Sequence, residues 1–195
     1  MKKIKGIFKN EEDKVFKIIM DAITQEKILK EKNTIWVTEI VKFYYDTDSN
    51  FRFERGSLVH FAVQKIIQEW NEAYGIGAYL IPEFKFAIKL PNFEEFTIIG
   101  KVDIYDDLNN VIYEIKTSNF IYEKQLFQVF LYKYLLDYYT RVQNSCKIIL
   151  FGATNVMCYD VTQAILQKGF VFSKALFNFL YMRKKMRKLN EAEEV

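Results

Sequence analysis

With 195 residues, half of them apolar or aromatic and 27% charged, the chain has the balance of one folded domain and falls outside the disordered class. Its 28 basic and 25 acidic side chains leave a net charge of +3, which permits an anionic partner without demanding one. No run approaches the roughly 20 apolar residues of a bilayer helix, so a membrane-spanning protein is excluded too.

The 18 Phe, 13 Tyr and 2 Trp supply a large aromatic core, and with 7 Gly and 2 Pro the chain has little material for long irregular loops. Cys146 and Cys158 are too far apart for a Cys-x-x-Cys pair. The basic start, with Lys2, Lys3, Lys5 and Lys9, runs into Glu11, Glu12 and Asp13 where a signal peptide would have its apolar segment. A cytoplasmic, reducing setting is expected.

In chain order, Asn10 caps an expected first helix carrying Val15, Phe16, Ile19, Ile23 and Leu29 and ending near Lys30. Thr38 opens a short second helix reaching Tyr45, and residues 46–50 form a polar loop. A third helix is predicted from about 54–56 to 74. Its Leu58, Val59, Phe61, Ala62, Val63, Ile66, Ile67 and Trp70 cover more than one stripe, which predicts deep burial. Alternating segments at about 83–90, 95–106 and 111–117 predict three antiparallel strands. A helix over 122–139, two short strands at 147–151 and 156–161, and a last helix over 163–189 broken near Gly169 complete the pattern. With no repeat and no linker, residues 1–195 read as one α/β domain, a mixed sheet with helices on both faces.

The segment 98–118 carries the chemistry. Asp106, Asp107, Asn109 and Asn110 are turn residues between two alternating strands, which predicts a hairpin. With a loop at 107–110, Asp103 falls opposite Glu114; with a two-residue turn at Asn109 and Asn110, it faces Lys116 instead. Both registers put Asp103, Glu114 and Lys116 on one face, with Ile98, Gly100, Val102, Ile104, Val111, Tyr113 and Ile115 on the other as a core face. Two carboxylates then lie roughly 4.5–8 Å apart, a like-charge pair that needs neutralising. A hard divalent cation such as Mg²⁺ or Mn²⁺ does this, with Lys116 as a third partner.

Each piece has an ordinary explanation by itself. Glu-x-Lys on a strand is commonly a solvated ion pair, and His60, the one histidine, could be a satisfied core residue. Gln128 and Tyr132 share a helix face at i and i+4, where Tyr132 could simply be core. The basic run from Arg183 to Lys188 suits the end of a helix and could equally contact phosphate.

Together the pieces are more specific. Arg55-Gly56-Ser57-Leu58-Val59-His60, Gly100-Lys101-Val102-Asp103, Glu114-Ile115-Lys116-Thr117-Ser118 and Gln128-Val129-Phe130-Leu131-Tyr132 follow one another in the order of a known motif set. In them the sequence resembles the RecB-type branch of the PD-(D/E)XK nuclease superfamily, and is similar to the CRISPR-associated RecB-like exonucleases. The resemblance spans about 55–132. It implies a restriction-endonuclease-like core and a metal-dependent DNA nuclease that hydrolyses phosphodiester bonds. It also implies Mg²⁺ or Mn²⁺ held by His60, Asp103, Glu114 and the backbone carbonyl of Ile115. Asp103, Glu114 and Lys116 would be catalytic, Lys116 positioning the attacking water and stabilising charge on the phosphate. Gln128 and Tyr132 would lie beside the substrate, with Glu83 an additional acid.

The implied partner is DNA, single-stranded or with ends, and not a membrane; a homo-oligomer is compatible. Many of the CRISPR-associated relatives hold an iron–sulfur cluster on four cysteines. This chain has two, so no iron–sulfur cluster is expected. Two rival readings are a dimeric, structure-specific Holliday junction resolvase and a catalytically silent DNA-binding or assembly subunit.

Overall fold

In the computed structural model, which describes residues 33–45, 53–74 and 79–193, the alternating segments build a mixed six-stranded sheet flanked by helices. Strand β1 (Thr34–Trp36) turns directly into helix α1 (Val37–Tyr44), where the Glu39 carboxylate accepts the Trp36 N–H at 3.0 Å. Helix α2 (Phe53–Tyr74) follows, then the antiparallel strands β2 (Leu80–Ile88), β3 (Thr97–Asp106) and β4 (Val111–Lys116). Helix α3 (Glu123–Thr140) crosses over to β5 (Ser145–Phe151), which lies parallel to β4, and β6 (Val156–Asp160) returns antiparallel to β5. Helices α4 (Thr162–Gln167) and α5 (Gly169–Glu193) are separated at Lys168, beside the expected break at Gly169. The expected first helix, the lysines at the start and the loop at 46–50 lie outside the described residues. Among the described residues no helix is long and apolar enough to cross a membrane.

The deep burial expected of α2 belongs to α3. On α3, Val129, Phe130, Leu131, Tyr132, Lys133, Leu135 and Leu136 are all buried, because α1, α4 and α5 pack around a helix that already lies on the sheet. On α2 the apolar row Val59, Val63 and Ile67 packs on the sheet, against Ile104, Ile115 and Tyr113. Its Leu58, Phe61, Ile66 and Trp70 are each more than half exposed. The apolar breadth of α2 therefore exceeds the surface that the sheet offers it.

The far end of α3 is anchored by a buried polar group. Lys133 donates to Asp137 and to the Asn144 carbonyl (2.6 Å), Asn144 Nδ2 donates to Asp137 Oδ1 (2.8 Å), and the Tyr105 hydroxyl donates to Asn144 Oδ1 (3.0 Å). A buried ammonium is tolerated here because carboxylate and carbonyl both receive it. These bonds tie α3 to β3 and to the start of β5.

Gly100 on β3 faces Phe86 on β2, and a Cβ there would stand 2.1 Å from the Phe86 ring. The glycine lets that ring lie flat across β3 and reach Tyr132 of α3 edge-on, centroid to centroid 6.1 Å. Gly100→Ala is expected to destabilise the fold by about 1–3 kcal/mol, as overpacking does, in urea denaturation followed by circular dichroism. A loss below about 0.5 kcal/mol would contradict this packing, since such values are ordinary for neutral surface changes.

Candidate metal centre

The site forms where the pairing of β3 is interrupted. Along one edge β3 pairs with β2, and the register passes from Phe84↔Val102 to Pro82↔Ile104 without a bridge between Glu83 and Asp103. Along the other edge β1 takes residues 97–99 and β4 takes 104–106, so 100–103 have no strand partner there among the described residues. The backbone departs from the ladder at this point: Glu83, which follows Pro82, has φ 54°, in the left-handed region that costs a residue with a side chain about 1–3 kcal/mol.

The consequence is a slip of phase. Val102 and Tyr105 both join the larger core, while Ile104 joins the smaller cluster under α2; on β2, Ile81 and Phe84 both face the larger core. The single core face expected for Ile98, Val102, Ile104 and Ile115 is thus divided between the two faces of the sheet. Strict alternation fails at Asp103 itself. In the hairpin, Asp106↔Val111 is the register of the 107–110 loop, so that continuing it sets Asp103 across from Glu114.

Asp103 is 8% exposed, and both of its oxygens are engaged. Oδ2 accepts the Ile115 backbone N–H at 2.7 Å, taking the donor that the interrupted ladder leaves open, and Oδ1 stands 3.0 Å from His60 Nδ1. A ring nitrogen of His60 and one oxygen each of Glu83 and Asp103 lie within 4.8 Å of one another. Ligand atoms on opposite sides of one Mg²⁺ ion stand about 4.2 Å apart, so small side-chain rotations suffice to close the three around a cation. Glu83 is meanwhile paired with Lys101.

Glu114 lies beside this group and outside it. Its Oε1 accepts Lys116 Nζ (2.6 Å) and Gln128 Nε2 (2.9 Å), while its Oε2 is buried with no hydrogen-bond partner. Gln128 also receives Lys116 on its own oxygen (3.2 Å) and donates to the Tyr132 hydroxyl (2.9 Å). Burial, with Asp103 nearby, pushes the Glu114 carboxyl up to about 7. Burial pulls Lys116 down, but Glu114 and Asp103 outweigh it and hold the ammonium above its ordinary range, so Lys116 stays charged. Burial and Glu114 likewise keep the Tyr132 phenol neutral. The hydrogen bond to Asp103 raises His60, against the effect of its own burial.

The residues suit a hard divalent cation. Carboxylate oxygens with one imidazole form an appropriate donor set, and the orphaned buried oxygen of Glu114 is an acceptor still without a positive partner. The sequence-predicted residues fall into two adjoining hydrogen-bonded groups, His60 with Asp103 and the Ile115 N–H, and Glu114 with Lys116, Gln128 and Tyr132. The bond to Ile115 is through its N–H, whereas its carbonyl was the expected ligand. Glu83, expected as an additional acid, joins His60 and Asp103 more closely than Glu114 does. Lys101 was not among the expected residues; the available signal was its place two residues before Asp103. In the basic run near the end, Lys184 is bound to Glu95 (2.9 Å) and to the Asn92 carbonyl, which anchors α5 to the β2–β3 connection.

No family model and no curated protein matches this chain. Among solved structures it is similar to the crystal structure of SSO0001, with a TM-score of 0.50 over 83% of this chain and 84% of that one. Sequence identity is 14%. The likeness is one of fold.

Two of these raised groups, Glu114 and His60, lose their protons nearest to neutral pH and make the stability of the metal-free protein pH-dependent there. Glu114 holds a proton when folded that the unfolded chain releases near 4.5, so its contribution falls as pH rises from 4.5 through about 7. His60, raised above 6.5, contributes below that value and loses its contribution as pH rises through the higher folded one. Melting temperature in EDTA is therefore expected to fall between pH 5 and pH 8, and Glu114→Gln should flatten that slope. A melting temperature that rises over the same interval would contradict the assignment.

Proposed function

We propose that this protein is a metal-dependent DNA nuclease of the RecB-type PD-(D/E)XK kind, hydrolysing phosphodiester bonds with Mg²⁺ or Mn²⁺. The observation that carries the reading is the meeting of His60, Glu83 and Asp103 within 4.8 Å, beside a buried Glu114 that is paired with the half-buried Lys116 and has one acceptor oxygen unused. The intact set of acids and lysine favours an enzyme over a silent DNA-binding subunit. A reducing, cytoplasmic setting accords with Cys146 and Cys158 both being free thiols.

In this reading His60, Glu83 and Asp103 would hold the cation, with Glu114 and the Ile115 carbonyl completing the set. When bound, the cation supplies a hydroxide at neutral pH and offsets charge on the phosphate. The Ile115 N–H fixes the Asp103 carboxylate and aims its other oxygen at His60. Glu114 and the Gln128 side-chain oxygen Oε1 hold the Lys116 ammonium in place. Because it remains protonated, Lys116 acts as a positioned charge for the attacking water and the phosphate and not as a general base. Gln128 keeps the Glu114 oxygen and the neutral Tyr132 hydroxyl in register beside it.

The test is cleavage of linear and circular single-stranded, duplex and branched DNA in Mn²⁺. Cutting that EDTA stops is expected, and Asp103→Asn, Glu114→Gln and Lys116→Ala should each lower the rate by about 10²-fold or more with unchanged circular dichroism. Variants that cut at the parental rate would overturn the reading.

A further inference from the structure

Within the candidate centre every acid already has a partner of its own. Asp103 faces His60, Glu114 holds Lys116, and Glu83 holds Lys101. The three pairings differ in accessibility. The Glu114 side chain is 3% exposed and that of Asp103 10%, whereas Glu83 and Lys101 are 32% and 48% exposed. An ammonium at the solvent edge is rehydrated at little cost when it leaves its carboxylate, and a buried one is not. Glu83 also reaches the group through a left-handed backbone at the one missing rung of the β2–β3 ladder, a costly conformation that an ordinary surface ion pair does not need.

We propose that Lys101 is an internal counter-ion for Glu83, which an incoming divalent cation must displace, so that loading the centre releases an ammonium beside it. The inference rests on the metal centre read above and adds a residue to it. Lys101 lies on β3 two residues before Asp103, directly opposite Lys85, and reaches diagonally to Glu83. Two lysines side by side repel each other, which favours turning one of them toward the acid. Once displaced, the Lys101 ammonium is free for an anionic substrate at the edge of the site. The metal-free centre is thus kept close to neutral, and the loaded one gains positive charge where a phosphate would approach.

The test is calorimetric titration of the full chain with Mn²⁺, with no DNA present. Removing the competitor in Lys101→Met should tighten Mn²⁺ binding by about two- to fivefold, the range that a half-exposed ion pair sets. Lys101→Arg, which keeps the pair, should bind as the parent does. Lys85→Met removes the same charge from the neighbouring strand without touching Glu83, and should change affinity by less than Lys101→Met does. In a Glu83→Gln background, Lys101→Met should no longer tighten binding. If the parent binds Mn²⁺ and Lys101→Met binds no more tightly, or if Lys85→Met has an equal effect, the counter-ion role is overturned while the metal centre stands. If the parent binds no Mn²⁺, the centre and this inference fall together.

Discussion

Asp103 sits on a strand paired along both of its edges, yet it takes part in neither ladder as a strand residue would. On the β2 side the ladder passes over it where Glu83 adopts φ 54°. On the β4 side the strands part beyond Ile104, and the Ile115 N–H turns to the Asp103 carboxylate instead of to a carbonyl. A backbone donor left open by one irregularity is thus satisfied by the acid that another irregularity exposes. Everything in the candidate centre follows from this arrangement. Asp103 is pinned, Glu83 is brought beside it, and α2 comes close enough for His60 to complete the contact.

The surroundings are regular by comparison, and they position the charges by burial. α3 is packed on several sides and fixed at its end by Lys133, Asp137 and Asn144, so Gln128 and Tyr132 present fixed polar atoms to the sheet. Glu114 and Lys116 then face a rigid wall in a low-dielectric setting, where a carboxylate with an unused oxygen is costly. Such a site is built to receive positive charge. The raised Glu114 carboxyl is the form this cost takes when only a proton is available.

Much of this was legible in the residues. Period-two alternation marked β2, β3 and β4, and the turn residues at 106–110 marked the hairpin while leaving two registers open, of which the structure takes the one with the 107–110 loop. Apolar spacing and Gly169 marked α3, α4 and α5. What pattern could not show was the phase slip. Alternation presumes an unbroken ladder, and neither the left-handed backbone of Glu83 nor the parting of β3 and β4 leaves a mark on hydrophobic periodicity. Pro82 was the one local hint. For the same reason the pairing of Lys101 with Glu83 depends on a cross-strand diagonal that emerges only once β2 is placed. The misjudged burial of α2 has another cause: apolar content tells how much surface a helix could bury, while its neighbours decide how much it does.

The claim at the centre of this account is that imidazole and carboxylates from α2, β2 and β3 converge on one hard cation. Anomalous diffraction from crystals soaked in Mn²⁺ tests it most directly. The account predicts a peak bonded to His60, Glu83 and Asp103, with Lys116 nearby. Well-diffracting soaked crystals with no peak among those residues, or with the His60 ring turned away from Asp103, would contradict it.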